Sequence, residues 1–174
     1  MGVCSEGLSV LGDGAEWIWN LAGAHFVGAA QLLDVYHGCE HLAAAGRAAL
    51  GQGRAFREWY ESSRAQLVGD GYWGAAEALG VLSQAEETPG GAAAVAAELN
   101  YFCGHRGRLN YAGRLRRGQA IGSGLVEGTI KQRVNLRMKR GNARWRFGAV
   151  GAFVEFMVAA DGPEWEEHWK LYAN

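Results

Sequence analysis

Three carboxylates stand apart from the other acids of this chain: Asp13 between Gly12 and Gly14, Asp34 in Leu33-Asp34-Val35-Tyr36-His37, and Glu127 in Gly122-Ser123-Gly124-Leu125-Val126-Glu127-Gly128-Thr129-Ile130-Lys131. Their neighbours are Gly, Tyr, His and Lys rather than further surface acids. Two-metal phosphoryl transfer needs carboxylates that converge from separate elements, because hard divalent cations about 3.5–4 Å apart must be clamped by oxygen ligands around one phosphate. Two strand ends and a helix face can supply that convergence. Two of these acids also have a plainer reading, in which Asp13 caps the helix that begins near Ala15 and Glu127 pairs with Lys131 one helical turn on.

The charge around Glu127 favours a polyanionic substrate. Between Arg106 and Arg146 lie twelve of the seventeen Lys and Arg residues and one acid, a net +11, while the other positions hold five bases and seventeen acids, a net −12. The formal net charge of −1 therefore conceals two halves of opposite sign and does not argue against a nucleic-acid partner. Lys131, Arg133, Arg137, Lys139, Arg140 and Arg144 are candidate phosphate contacts, which give affinity and steep salt dependence rather than sequence preference. Trp145 is placed to stack on a frayed base or to pack in a core.

Other constellations compete. His37-Gly38-Cys39-Glu40-His41 fits the inverted zinc-peptidase pattern, with two histidines four residues apart on a helix sharing a zinc and Glu40 as base. It explains neither the basic stretch nor Asp13. Cys39-x-His41 and Cys103-x-His105 suggest a structural zinc site, although small buried cysteines are the simpler reading. Gly122-x-Gly124 is a weak dinucleotide signal, since no strand leads into it and no ribose-binding acid follows.

The elements that would position these residues can be read from periodicity. Positions 8–12 form a short β-prone run that ends at Asp13, followed by an amphipathic helix over 15–24; 31–33 form a second buried strand that ends at Asp34, followed by a helix over 36–50. Positions 54–104 are helical throughout, broken at Pro89-Gly90-Gly91, and form an acidic insert. An Arg-rich polar connection, short helix or ordered loop, covers 106–117. Leu125, Val126, Ile130, Val134 and Met138 recur at helical intervals, so 125–139 is a helix, stopped by Gly141-Asn142. Helices over 145–160 and 163–172 complete the chain, and the seven Trp are expected to anchor the core. The expected segmentation is 1–52, 53–104 and 105–174.

At 174 residues and 49% hydrophobic side chains the chain can bury a real core. Three widely spaced cysteines argue against a disulfide framework, and the absence of a signal-like start or a long apolar run argues for a cytoplasmic protein with no membrane segment.

Four ordered blocks carry a resemblance. They run from Val10 to Trp19, from Leu32 to Leu42, from Ile121 to Lys131 and from Arg137 to Trp145. Together they resemble bacterial insertion-sequence transposases of the Asp-Asp-Glu class, above all the Kra-type group related to Mutator-like transposases, over nearly the whole chain. The resemblance implies an α-rich α/β fold: a partial RNase H-like core of about two strands, an all-α insertion and C-terminal helices. It implies that Asp13 is the second metal-binding acid and Glu127 the third, that Asp34 and His37 form the family's Asp-x-x-His element, and that Mg2+ or Mn2+ is the cofactor. The implied partners are insertion-sequence ends and target DNA, on which a homo-oligomer assembles. The family's first aspartate has no counterpart in the four blocks; its strand is expected upstream of Met1, and the chain is then a C-terminal part, nearly inactive alone. A non-catalytic DNA-binding remnant or regulator is the alternative, and a zinc peptidase through His37, Glu40 and His41 the third reading.

Overall fold

The computed structural model describes residues 7–85, 90–124 and 144–160, together with 128, 138, 162, 165 and 170. The chain divides into two units, Met1–Ser123 and Gly124–Asn174.

The first unit opens with a βαβ arrangement. Strand β1 (Ser9–Gly12) leads through helix α1 (Glu16–His25) to strand β2 (Ala30–Leu33). The two strands pair in parallel, with Ser9 opposite Ala30 and Gly12 opposite Leu33. Parallel neighbours need a crossover rather than a tight turn, and α1 is that crossover. Both strands and the helices that follow them start within a residue of the positions expected from the sequence. Leu32 and Leu33 are buried, whereas β1 is half-buried until Gly12.

Helix α2 (Val35–Leu50) leaves β2 directly and organises the rest of the unit. Its buried positions include Gly38, Cys39, Leu42, Ala43, Ala45 and Gly46, mostly small residues spread around more than one face. That composition lets three helices approach it: α3 (Arg54–Asp70), α4 (Tyr72–Ala85) and α5 (Gly91–Gly104). At Gly46 the fit is tight, since a Cβ there would collide with the Trp59 ring and come within 3.0 Å of Phe56. Trp59 is fixed in turn by its Nε1–H, which donates to the Ala78 carbonyl on α4 at 3.2 Å. The core around these contacts includes Leu67, Leu79, Leu82, Val95 and Phe102, all at or below 1% exposure.

The α3–α4 corner turns at Gly71, whose φ of +60° and close approach to the Leu109 carbonyl exclude a side chain. A 3-10 turn (Arg106–Arg108) and a short helix α6 (Tyr111–Leu115) follow α5.

This Arg-rich connection is more deeply embedded than its polarity suggests. Tyr111 is fully buried, and Arg114, 6% exposed, donates from Nε to the Ala120 carbonyl (2.9 Å) and from Nη1 to Ser9 Oγ (2.9 Å). Arg114 therefore ties the chain after α6 to β1 and is not a solvent-facing cation. The expectation that tryptophans anchor the core also needs correction. Trp19 is buried, but Trp17, Trp73 and Trp145 are 67%, 75% and 40% exposed. Tryptophan is large enough to help the core with one edge while showing the other to solvent.

In the second unit, helix α7 (Phe147–Ala160) matches the helix expected over 145–160. The Trp145 ring lies 4.9 Å from that of Phe153, and its Nε1–H donates to the Met138 carbonyl at 3.1 Å. The helix expected over 125–139 lies almost wholly outside the described residues, as does most of the final one. The fold is thus helix-rich with a small parallel sheet. Among the described residues no helix is long and apolar enough to cross a membrane.

Candidate carboxylate site at the strand ends

Register alone brings two of the three acids together. Because Gly12 pairs with Leu33, Asp13 and Asp34 occupy successive positions past the carboxyl ends of neighbouring parallel strands, and the Asp34 N–H donates to the Gly12 carbonyl at 2.8 Å. The carboxyl edge of a parallel sheet is where α/β folds build their sites, since the strand ends and the following loops converge there.

The two carboxylates differ sharply in environment. Asp34 is 5% exposed. Its Oδ1 accepts from the Tyr36 N–H at 2.8 Å, the N-cap bond of α2. Its Oδ2 accepts a short hydrogen bond from the Ser123 N–H. The Val35 N–H meanwhile donates to the Ile121 carbonyl at 3.0 Å. Both oxygens are thus committed to backbone donors, and Asp34 is a positioning residue that docks 121–123 onto the start of α2. Gly122 permits that contact, since a Cβ would come within 3.1 Å of both Tyr36 and Val35. Glu127 follows four residues after Ser123 in the sequence and lies outside the described residues.

Asp13 is exposed. Its Oδ1 accepts from the Ala15 N–H at 3.0 Å, a local turn just before α1. The N-cap of α1 is Ala15 and has no side-chain cap bond, so Asp13 supports the helix start without being its cap. Its other carboxylate oxygen has no partner among the described residues. For a hard cation that free oxygen fits as one ligand, whereas the saturated Asp34 does not.

The Asp13 loop is clamped from α5, through residues that sequence reasoning left aside. Tyr101 Oη donates to the Asp13 carbonyl at 3.2 Å. Gly14, at φ +99°, leaves room for that hydroxyl, which any Cβ would strike. The Trp19 Nε1–H donates to the Gly14 carbonyl at 3.3 Å. Tyr101 stacks on His41 of α2, ring centroids 3.5 Å apart and 15° from parallel. His41 Nδ1 in turn meets Glu98 Oε2 at 2.6 Å. Tyr101 and His105, the residue that caps α5, thus lie against the Asp13–Gly14 loop, while Glu98 one turn earlier holds His41 under the Tyr101 ring. Their spacing of three and four residues in an otherwise Ala-rich helix was the available signal.

Burial, with Asp13 and then Glu98 adding repulsion, pushes the Tyr101 hydroxyl up to about 12. Burial lowers His105, with Arg108 and His41 contributing. Both shifts favour the neutral form, so the clamp is neutral at Tyr101 and His105 near pH 7.

His37 sits in the first turn of α2, half-exposed, with Nδ1 3.2 Å from Glu40 Oε2. Its ring lies 5.4 Å from that of His41. The two histidines of the peptidase pattern are thus neighbours, but each faces a different carboxylate. Cys39 is buried against α3, its thiol pushed up by desolvation, and Cys103 is exposed. Among the described residues no three of His, Cys, Asp and Glu come together to hold a metal ion.

Glu127, Lys131, Arg133, Arg137, Lys139 and Arg140 lie outside the described residues. Arg144 and Trp145 are described and exposed. Comparison with protein-family models, with curated proteins and with solved structures finds no match for this chain.

Proposed function

We propose that this chain carries two acids of a DNA transposase site of the Asp-Asp-Glu class, with Asp13 and Glu127 as ligands of Mg2+ or Mn2+ and the stretch from Lys131 to Arg144 as its phosphate-binding surface. The observation that supports it most is the pair of acids past adjacent parallel strand ends, one with an oxygen that has no partner among the described residues and the other holding 121–123, which precede Glu127 in the sequence. A strand–helix–strand unit followed by helices α3 to α6 agrees with the RNase H-like core and inserted helices that the resemblance implies.

When bound, the divalent ions supply the charge that activates the attacking hydroxyl and stabilises the leaving oxygen. The chain's own residues have other tasks. Tyr101 and Trp19 hold the Asp13 carbonyl and the Gly14 carbonyl, which fixes where the Asp13 carboxylate can reach. Asp34 fixes the start of the segment that bears Glu127. The basic side chains neutralise phosphate and set orientation on the duplex, without reading bases.

The four blocks supply the second and third acids and not the first, so the test reads binding rather than turnover. Fluorescence anisotropy with a labelled DNA duplex, with and without Mg2+, should show tighter binding with the metal and loss of that gain in Glu127→Gln. Binding indifferent to both would replace this reading with that of a non-catalytic DNA-binding protein.

A further inference from the structure

A cleft of about 620 Å³ lies between the α3–α4 corner and the connection that follows α5. Clefts of roughly 300–1,000 Å³ are the size that hold small organic ligands. Three elements supply its chemistry: Trp73 from the first turn of α4, Arg106 from the 3-10 turn and Arg116 from the end of α6. Trp73 is 75% exposed, and the edge of Tyr72 meets its ring, centroids 5.1 Å apart. Arg106 and Arg116 are exposed, and neither has an acidic partner among the described residues. Asp70 and Asn110 also line the cleft. Asn110 spends its Oδ1 on the Gly113 N–H at 3.1 Å, which leaves its amide hydrogens as donors.

An exposed indole braced from the side, two guanidinium groups with no acidic partner among the described residues and a few polar groups in one concavity match the parts of a nucleotide. The aromatic face takes the base, the cations take phosphate, and Asp70 and Asn110 can accept from and donate to sugar or base edges. Gly71 keeps the wall between α3 and α4 close to Leu109 and free of side-chain bulk.

We infer that this cleft binds a nucleotide of a single DNA strand, with its base stacked on Trp73 and its phosphates held by Arg106 and Arg116. The inference rests on the DNA reading above but uses residues separate from the stretch 131–144 and from Asp13.

The test is fluorescence anisotropy of the full chain with a labelled thymidine 12-mer and, separately, a labelled duplex, alongside calorimetry with free thymidine monophosphate. Trp73→Ala is expected to weaken the 12-mer by about five- to a hundred-fold, the range of one stacked base, and to leave duplex affinity within twofold. Trp73→Phe, which keeps a stacking face, should restore most of the loss. Arg106→Gln with Arg116→Gln should weaken the 12-mer and reduce the salt slope by about 1.4.

Equal 12-mer affinity of wild type and Trp73→Ala would overturn the inference. So would Trp73-dependent binding of free thymidine monophosphate without binding of the 12-mer, which would make the cleft a mononucleotide site. Loss of duplex binding in all proteins, with Trp73-dependent 12-mer binding kept, would sink the transposase reading and leave the cleft standing.

Discussion

At the scale of single residues, Asp13 and Asp34 are the same side chain in adjacent register positions and do different work. Asp34 is saturated by backbone N–H groups. Replacing it with Ala removes an N-cap, worth about 1 kcal/mol, and the hydrogen bond from the half-buried Ser123 N–H, worth about 0.5–1.5 kcal/mol more. Urea unfolding of Asp34→Ala should therefore show a loss of roughly 1.5–2.5 kcal/mol. Asp13→Asn changes an exposed side chain whose bond lies within its own turn and keeps the carbonyl that Tyr101 holds, so it should leave the midpoint nearly unchanged.

The clamp makes a separate prediction about pH. Tyr101 binds its proton more tightly in the fold than in the unfolded chain, so its contribution is intact below about pH 10 and is lost as pH rises toward about 12. His105 is lowered, so its contribution is intact above about pH 6.5 and is lost as pH falls below that value. Thermal melts across pH should show both losses, and Tyr101→Phe should reduce the alkaline one, to which Tyr60 and Tyr111, also raised by burial, contribute.

Elements were the most legible level. Short apolar runs located both strands, and proline and glycine punctuation located the break before α5, because those signals depend on the chain's local period; the α3–α4 corner at Gly71 fell inside a stretch expected to be helical throughout. The parallel pairing of β1 with β2 was not among the expectations, although a helix joining two neighbouring strands calls for it. What the sequence did not disclose was which helix face meets which. Tyr101, His41 and Glu98 belong to helices far apart in the chain, and no local period records that they close over Asp13. Arg114 was equally opaque: its run of arginines reads as solvated charge until Ser9 and the Ala120 carbonyl are found beside its guanidinium. Tight helix contacts carry their own test. Gly46→Ala inserts a methyl into the Trp59 ring, and overpacking of this kind costs about 1–3 kcal/mol. A circular-dichroism melt of that variant should show a clear drop in Tm, whereas Gly23→Ala, with open space around it, should raise helix stability slightly.

On the scale of the whole molecule, charge is segregated along the chain. Net +11 lies in 106–146 and net −12 elsewhere. On the proposed function, attraction of the basic stretch to DNA and repulsion of the rest would orient the protein on a duplex, and salt would weaken both. If the six cations from Lys131 to Arg144 all meet phosphates, log affinity should fall with log salt at a slope of roughly −5, and each Ala replacement should reduce it by about 0.9. A slope near zero would remove the polyanion from the account.

The most direct measurement is a Mn2+ titration followed by electron paramagnetic resonance on the wild-type chain, Asp13→Asn and Glu127→Gln. Shared coordination requires that each substitution weaken Mn2+ binding by at least about tenfold, and that the double variant be little worse than either alone. Wild-type affinity retained in both single variants would show that the carboxylates at 13 and 127 hold no common ion, and would contradict the account at its centre.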